Sequence, residues 1–315
     1  MTAIAAKSPA LRKPRSLKKP GILFPVLIVS LALLAVWYVG AYFLNAQLAR
    51  DQFARQKKEP TAQELVAATW AMDRPLLPAP HQVAVELWKT TVDQSVTSKR
   101  SLVYHSWITL SSTLAGFVSG TLLGILLAIG IVHVSSLDKS LMPWIVASQT
   151  IPIVAIAPMI VVVGYNLMNG QMGLSTDLSR FIAKAMISTY LSFFPVTVGL
   201  VKGLRSPDPI HLDLMRTYSA SRAQTFWKLR LPAAMPYLFT SMQVAIAISL
   251  VGAIVGELPT GASAGIGARL LAGSYYGQTV QIWAALLAAS ILAALLVWMV
   301  SLGGRAVVKR MGMAR

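Results

Sequence analysis

Six runs of apolar residues, each long enough to cross a lipid bilayer, divide this sequence of 315 residues. The runs cover about residues 22–44, 106–132, 143–165, 181–202, 237–258 and 281–303. A helix of about 20 residues spans the ~30 Å hydrocarbon core of a bilayer. Only 12% of the residues are charged, against about 25% in soluble domains. The sequence therefore predicts an all-α integral membrane protein with six transmembrane helices.

The first apolar run follows a basic N-terminal tail, residues 1–21. A secretory signal peptide is the alternative, but its apolar part would span about 7–15 residues before a small-residue cleavage site. This run is longer, and Asn45-Ala46-Gln47-Leu48 does not have the pattern of a cleavage site. We therefore expect residues 22–44 to be an uncleaved membrane anchor.

The net charge is +17, and the positions of the lysines and arginines along the sequence indicate the membrane topology. If the N-terminus is cytoplasmic, the cytoplasmic segments are residues 1–21, 133–142, 203–236 and 304–315. Together with Lys202 they hold 17 of the 28 lysines and arginines, whereas the two short outside loops hold only Arg180 and Arg269. Lysine and arginine concentrate in short cytoplasmic loops of membrane proteins. The charge thus reflects membrane topology and excludes nucleic acid as a partner.

This topology predicts a multi-pass protein of the bacterial inner membrane with both termini in the cytoplasm. Residues 45–105 would form an extracytoplasmic segment of unknown role. The membrane core would cover residues 106–303, followed by the cytoplasmic tail 304–315.

The second apolar run carries a small residue at every fourth position. The stripe consists of Ser112, Gly116, Gly120, Gly124 and Ala128. Small residues let helices approach closely inside a bilayer, where lipid gives little hydrophobic drive for association. The stripe predicts a helix-packing surface, either within this chain or against another subunit.

Several kinds of chemistry are excluded by what the sequence lacks. Without cysteine there is no disulfide and no thiolate metal site, and the four histidines show no metal-ligand spacing. There is no G-x-x-x-x-G-K-[ST] motif to hold ATP phosphates. We expect Lys184 to reach the lipid interface and His105 to be solvated or interfacial. The sequence has no series of membrane-embedded acidic residues and histidines of the kind that ion-coupled transporters use.

The third apolar run contains polar residues and prolines that are unusual at membrane depth. They are Gln149, Thr150, Pro152 and Pro158. Proline interrupts helical hydrogen bonding, and such irregularity is tolerated in a membrane where it is covered by protein or lines a cavity. The run is therefore either a pathway-lining helix or a helix with a structural kink. Glu257 and the stretch 261–273 could line an outer gate or form a re-entrant turn.

The polar loop 203–236 predicts a pair of short helices. Asp208 and Pro209 suit the start of the first helix, and Ser221 with Gln224 forms a capping box for the second. Ser219-Ala220 lies between them as a turn. We expect the second helix to end before Pro232 and Pro236, with an apolar patch of Tyr218, Phe226 and Trp227. The pair either rests on lipid headgroups or docks a partner.

The loop, about residues 208–232, resembles the EAA loop of permease subunits of binding-protein-dependent ABC importers. In that family an acidic residue, two small residues, three others, a glycine, nine others and I-x-L-P mark a coupling helix. Asp213 stands at the acidic position and Ser219 at the glycine position. Leu214 and Met215 replace the small residues, and Leu229, Leu231 and Pro232 close the motif.

The resemblance extends over about residues 76–303, including Phe194-Pro195 and the stretch Gly252–Glu257. It is closest to the nitrate/sulfonate/taurine branch, which includes importers of pyrimidine-type precursors. It implies a type I, MetI-like bundle with a cytoplasmic coupling helix, in which the chain forms the translocation pathway for a small solute. An ion-coupled secondary transporter, a membrane enzyme and a non-transporting membrane scaffold are the alternatives.

The resemblance also implies partners. Cytoplasmic ABC ATPase subunits would bind ATP and Mg, an extracytoplasmic solute-binding protein would deliver the solute, and a second permease copy or a paralogue would complete the pathway in the bilayer. The chain itself would be no enzyme and would bind no cofactor or metal. The ATPase-coupling interface would comprise Asp213, Leu214, Met215, Arg216, Tyr218, Ser219, Ala220, Arg222, Leu229, Leu231 and Pro232. Ser219 lacks the conformational freedom of the family glycine.

Overall fold

The computed structural model describes residues 23–259 and 264–312, and every regular element among them is helical. The helices are α1 (Leu23–Arg55), α2 (Ala62–Trp70), α3 (Pro80–Thr91), α4 (Leu102–His133), α5 (Ser135–Ser148), α6 (Ile153–Asn166), α7 (Thr176–Leu204), α8 (Pro209–Thr217), α9 (Arg222–Thr225), α10 (Leu231–Glu257), α11 (Ile266–Tyr275) and α12 (Thr279–Arg310). Two π-helical turns, Leu167–Gln171 and Phe226–Arg230, extend α6 and join α9 to α10.

Six helical segments are long and apolar enough to cross a membrane, which confirms the predicted all-α membrane fold. They are Phe24–Arg55, Leu102–His133, Ile153–Gln171, Thr176–Leu204, Arg222–Glu257 and Thr279–Arg310. Several are longer than the apolar runs, because a helix does not end where its composition becomes polar. The first, for example, continues about ten residues beyond the predicted end at residue 44.

The third span departs most from the prediction of one helix over 143–165. Most of the expected loop 133–142 belongs to α5, and the span begins only at Ile153. The break falls at residues 149–152, where Pro152 lacks an N–H and disfavours helical geometry in the preceding residue. The Tyr190 hydroxyl donates a hydrogen bond to the Ser148 carbonyl (2.6 Å) and so ties the end of α5 to α7.

Among the described residues, 23–70 form one compact unit, and 71–259 with 264–312 form another. In the first, the Asn45 side-chain amide donates to the Thr69 carbonyl (3.3 Å) and the Trp70 indole to the Tyr38 carbonyl (3.4 Å). These two bonds hold α2 against α1. In the second unit, α7 lies at the centre and packs against α4, α6 and α10.

The small-residue stripe of α4 faces α7. A Cβ atom at Gly120 would overlap the Ser192 hydroxyl and lie 2.9 Å from the Thr189 carbonyl oxygen. At Gly124 it would lie 2.8 Å from the Phe193 carbonyl oxygen. The whole stripe, including Ser112 and Ala128, is buried inside the chain. The two backbones therefore approach as closely as glycine permits.

Serine hydroxyls join α4, α7 and α10 where these helices are closest. Ser192 on α7 donates to the Gly116 carbonyl of α4 (3.1 Å). Ser188, also on α7, donates to the Ser249 carbonyl of α10 (2.9 Å), and the Ser249 hydroxyl donates to the Thr113 carbonyl of α4 (2.9 Å). Each hydroxyl is buried and has a backbone acceptor on a neighbouring helix, so the three helices form one hydrogen-bonded core.

Replacing Gly120 by alanine is expected to destabilise the bundle by about 1–3 kcal/mol, because the added methyl group has no space at the α4–α7 contact. Gly303→Ala on α12 is the matched control, since nothing lies within 4 Å of its new Cβ. Thermal unfolding of the purified protein in detergent should show a lower midpoint for Gly120→Ala alone. Equal midpoints for the two variants would contradict the close approach of α4 and α7.

Candidate functional site

Local sequence signals start both helices of the α8–α9 pair. The Asp208 side chain accepts a hydrogen bond from the Ile210 amide (2.9 Å), and Pro209 opens α8. At α9 the Ser221 amide donates to the Gln224 side chain (2.8 Å), while the Gln224 amide donates to the Ser221 hydroxyl (3.2 Å). Both predicted helix starts are confirmed, so the polar loop is an ordered element.

The turn between the two helices requires a left-handed residue, and Ser219 supplies it with φ = 51°. The Ser219 amide donates to the Arg216 carbonyl (2.8 Å), and the Ala220 amide donates to the Met215 carbonyl (2.9 Å). These two bonds form a Schellman motif, whose left-handed position usually holds glycine. Ser219 therefore adopts the backbone conformation of the family glycine, at the steric cost of a Cβ atom.

One face of α8 is apolar and exposed. Ile210, Leu214 and Tyr218 follow one another at four-residue intervals and are 74%, 50% and 76% exposed. We call these three residues the α8 face. Adjacent exposed apolar side chains on a short helix indicate an interaction surface. Trp227, in the following π-turn, is exposed as well, at 65%.

One of the three residues predicted for the exposed apolar patch, Phe226, does not belong to it. Phe226 is only 8% exposed and belongs to the hydrophobic core, where its ring lies 5.3 Å from that of His133 at the end of α4. Its side chain therefore anchors the pair to the bundle. The sequence could not distinguish it from its exposed neighbour Trp227, because both are aromatic residues in an amphipathic helix.

The second helix of the pair does not end before Pro232 as predicted. The π-turn continues α9 directly into α10, and Pro232 is the second residue after this turn, so the helix passes through the proline. The predicted interface residues divide by exposure. Exposed are Asp213, Leu214, Arg216, Tyr218, Ser219 and Arg222, and partly buried are Met215, Ala220, Leu229, Leu231 and Pro232. A single continuous helix therefore connects the pair to the membrane span.

Basic side chains surround a groove between the pair and the end of α4. The groove has a volume of about 540 Å³, and its lining includes His133, Arg216, Arg222 and Arg230. Arg216 also pairs with Asp213 at 2.9 Å, with both side chains well exposed. Such an exposed ion pair contributes little stability, so it is available to rearrange when a partner binds.

The predicted pathway residues lie at the break before α6 and along it. Thr150 and Pro152 are exposed in the break, and Gln149 is partly buried. Pro158 lies inside α6 and lines a cavity of about 240 Å³ against the end of α10. The structure therefore places Pro158 at a cavity beside the end of α10.

Glu257 has no exposed surface and does not line an open gate. Its carboxylate accepts hydrogen bonds from the Gly267 amide (2.7 Å) and the Thr109 hydroxyl (2.9 Å), and the Lys184 ammonium lies 3.7 Å away. The Thr109 hydroxyl in turn accepts from the Ile266 amide (2.9 Å). We call Glu257, Thr109 and Lys184 the carboxylate anchor, because they fix the start of α11 to α4, α7 and α10.

Two predictions about isolated polar residues are therefore wrong. Lys184 is 5% exposed and faces Glu257, so it does not extend to the lipid interface. His105 is 3% exposed; its Nδ1 accepts from the Gly265 amide (2.9 Å) and its Nε2 donates to the Lys99 carbonyl (2.9 Å). The predicted gate stretch 261–273 lies partly outside the described residues, and from residue 264 onwards it is held by these bonds.

Curated relatives of the chain are transport permeases. A probable ABC transporter permease protein of Haemophilus influenzae is 29% identical over 71% of this chain and 82% of the relative. The formylaminopyrimidine transport permease protein ThiX of Halalkalibacterium halodurans is 32% identical over 61% and 68%, respectively. The riboflavin transport system permease protein RibX of Chloroflexus aurantiacus is 29% identical over 62% and 65%. Permeases named for aliphatic sulfonates, nitrate and taurine are 23–24% identical.

The chain also matches a known family of membrane transport components. Residues 120–313 match the family described as the binding-protein-dependent transport system inner membrane component. This region contains the α8–α9 pair, α10 and the end of the bundle that carries Glu257. The match covers more than half of the chain, and the six membrane helices fit an integral component. The chain therefore belongs to this family and is the permease subunit of an ABC importer for a small solute.

Proposed function

We propose that the α8–α9 pair docks a cytoplasmic ABC ATPase and transmits its ATP-driven movement to the membrane helices. The observation that carries this proposal is the α8 face, whose three apolar side chains are exposed on a helix outside the membrane spans. Apolar and aromatic side chains with an arginine rim are typical of interface anchors. The basic groove beside the face adds complementarity to an acidic partner surface.

The movement would pass along one continuous helix. α9, the π-turn and α10 form one helix from Arg222 to Glu257, and Phe226 fixes this helix to the core just beyond the docking surface. A rigid helix packed against its neighbours can change the balance between two bundle states when one end is displaced. Movement at the pair would therefore reach the carboxylate anchor at the opposite end of α10.

The remaining partners follow from this arrangement. The basic pair would lie in the cytoplasm with both termini, and the carboxylate anchor would lie near the extracytoplasmic surface, where a solute-binding protein delivers the solute. A second permease copy or a paralogue would enclose the pathway. The solute would be nitrate-, sulfonate- or taurine-like, or a pyrimidine-type precursor. ATP and Mg would be bound by the ATPase.

An ion-coupled secondary transporter is the second candidate, and the Lys184–Glu257 pair is the observation that favours it. Buried ion pairs in membrane helices often mark ion or proton pathways. Against this function, Glu257 is held by the Gly267 amide and the Thr109 hydroxyl, which is the pattern of a structural anchor. Uptake that requires ATP and persists when the ion gradient is collapsed would exclude ion coupling.

Introducing a charge into the α8 face is expected to separate the permease from its ATPase. Leu214→Glu places a carboxylate at the centre of the apolar surface, and burying it there would be costly. Co-purification of the ATPase and ATP-dependent uptake should both fall at least tenfold. His211→Glu, an exposed position beside the face, is the matched control and should retain both. Normal co-purification of Leu214→Glu would contradict the docking role.

The turn should tolerate glycine but not a β-branched residue at position 219. Ser219→Gly keeps the left-handed backbone without a Cβ atom, so uptake should equal or exceed that of the unmodified chain. Ser219→Val should lower uptake severalfold, because valine is strongly disfavoured at positive φ. Thr217→Val at an exposed helical position controls for the new side chain. Equal uptake by all three variants would show that the turn does not matter for coupling.

Glu257 and Lys184 of the carboxylate anchor should affect stability as a coupled pair. Glu257→Gln leaves Lys184 buried without its counter-ion and is expected to destabilise the protein by about 3–5 kcal/mol. The double variant Glu257→Gln/Lys184→Met removes both charges and should recover much of this loss in thermal unfolding. ATP-dependent uptake by the double variant is expected to persist. Complete loss of uptake by a well-folded double variant would instead favour ion coupling.

A further inference from the structure

Two cavities follow α6 at the end of the bundle that holds the carboxylate anchor. The larger, of about 240 Å³, is lined by Val154, Ala157, Pro158, Val255, Leu258 and Pro259. The smaller, of about 160 Å³, is lined by Val161, Val162, Tyr165, Arg180 and Pro259. Pro259 contributes to both, so the two cavities adjoin. We call them together the α6 groove.

The α6 groove follows one side of a helix. Its α6 residues recur at intervals of three or four from Val154 to Tyr165, which places them on one face over roughly 16 Å of helix. Almost all of these side chains are aliphatic. The phenol of Tyr165 and the guanidinium of Arg180 are the polar groups, and both lie at the same end. The groove is therefore apolar along most of its length and cationic at one end.

The charge of Arg180 is uncompensated within the described part of the chain. No carboxylate of residues 23–259 and 264–312 lies within 4.0 Å of its guanidinium. Lys184, one turn further along α7, differs in this respect because it faces Glu257 at 3.7 Å. A guanidinium beside an apolar wall is a strong binding group for a planar or tetrahedral anion. Arg180 therefore gives the groove a positive charge that can bind an anionic solute.

We propose that the α6 groove binds a small organic anion, a carboxylate or sulfonate with a compact apolar body, as the transported solute. Arg180 holds the anionic group, and Val161, Val162 and Tyr165 contact the body. Pockets for drug-sized ligands begin at about 300 Å³, and each of these cavities is smaller. This inference rests on the proposed function, because it makes the groove part of the importer's pathway.

The absence of cysteine from the sequence permits a direct test. Val162→Cys introduces a single thiol into the groove beside Arg180. The full chain in nanodiscs is labelled with two methanethiosulfonates of similar size, one carrying a sulfonate and the other a trimethylammonium group. Val163→Cys, which is exposed but lines neither cavity, is the matched control. Benzenesulfonate and benzamide serve as an anionic and a neutral probe of the same shape.

Arg180 should favour the anionic reagent at Val162→Cys. Adding Arg180→Gln is expected to lower the ratio of anionic to cationic labelling rates about fivefold, whereas Lys89→Gln, which removes an exposed cation elsewhere, should leave it unchanged. Benzenesulfonate should slow labelling of Val162→Cys and not of Val163→Cys, and benzamide should slow neither. An unchanged ratio in Arg180→Gln, or protection by benzamide equal to that by benzenesulfonate, would overturn the proposal. Protection by nitrate alone would also overturn it, because nitrate has no apolar body.

This test is independent of ATPase docking. The labelling experiment needs no ATPase, so its failure with normal ATP-dependent uptake would reject the α6 groove and leave the proposed function intact. Normal protection in the groove together with uptake that does not depend on ATP would reject the proposed function instead.

Discussion

The close contact of α4 with α7 is the constraint on which the rest of the structure depends. Three glycines remove the side chains that would separate the two backbones. Ser192 then joins α7 to α4, and Ser188 and Ser249 join these two helices to α10, all through buried hydrogen bonds. Lipid offers little hydrophobic drive for helix association, so this geometry must come from shape and hydrogen bonding. With α4, α7 and α10 fixed together, both ends of α10 have defined positions.

α10 links two sites of different chemistry. At its beginning the π-turn connects it to the apolar and basic α8–α9 pair, the proposed docking surface, and at its end Glu257 holds the start of α11. The helix has 27 residues and therefore extends about 40 Å, more than the hydrocarbon core of a bilayer. One packed element thus reaches from the face that would receive the ATPase to the face that would receive the solute.

Features encoded over a few residues could be predicted from the sequence, and features created by distant contacts could not. The six apolar spans, the caps at Asp208 and Ser221 and the turn at Ser219 and Ala220 depend on local composition and spacing. The anchor joins Thr109 to Glu257 across 148 positions, so neither residue shows its partner. Gln149, Thr150 and Pro152 indicate an irregularity before α6, but a proline is compatible with a kink as well as with the end of a helix, so the break itself could not be predicted. The identities of the docking partner and of the solute are features of other molecules.

The position of Pro259 has a consequence for selectivity. It follows Glu257 by two residues and lines both cavities of the α6 groove. One wall of the groove therefore lies directly beside the hydrogen bonds that hold the carboxylate. If the groove binds the solute as proposed, loosening this anchor would displace a wall of the binding site as well as destabilise the bundle, and the permease would become a less selective filter with the same contact residues.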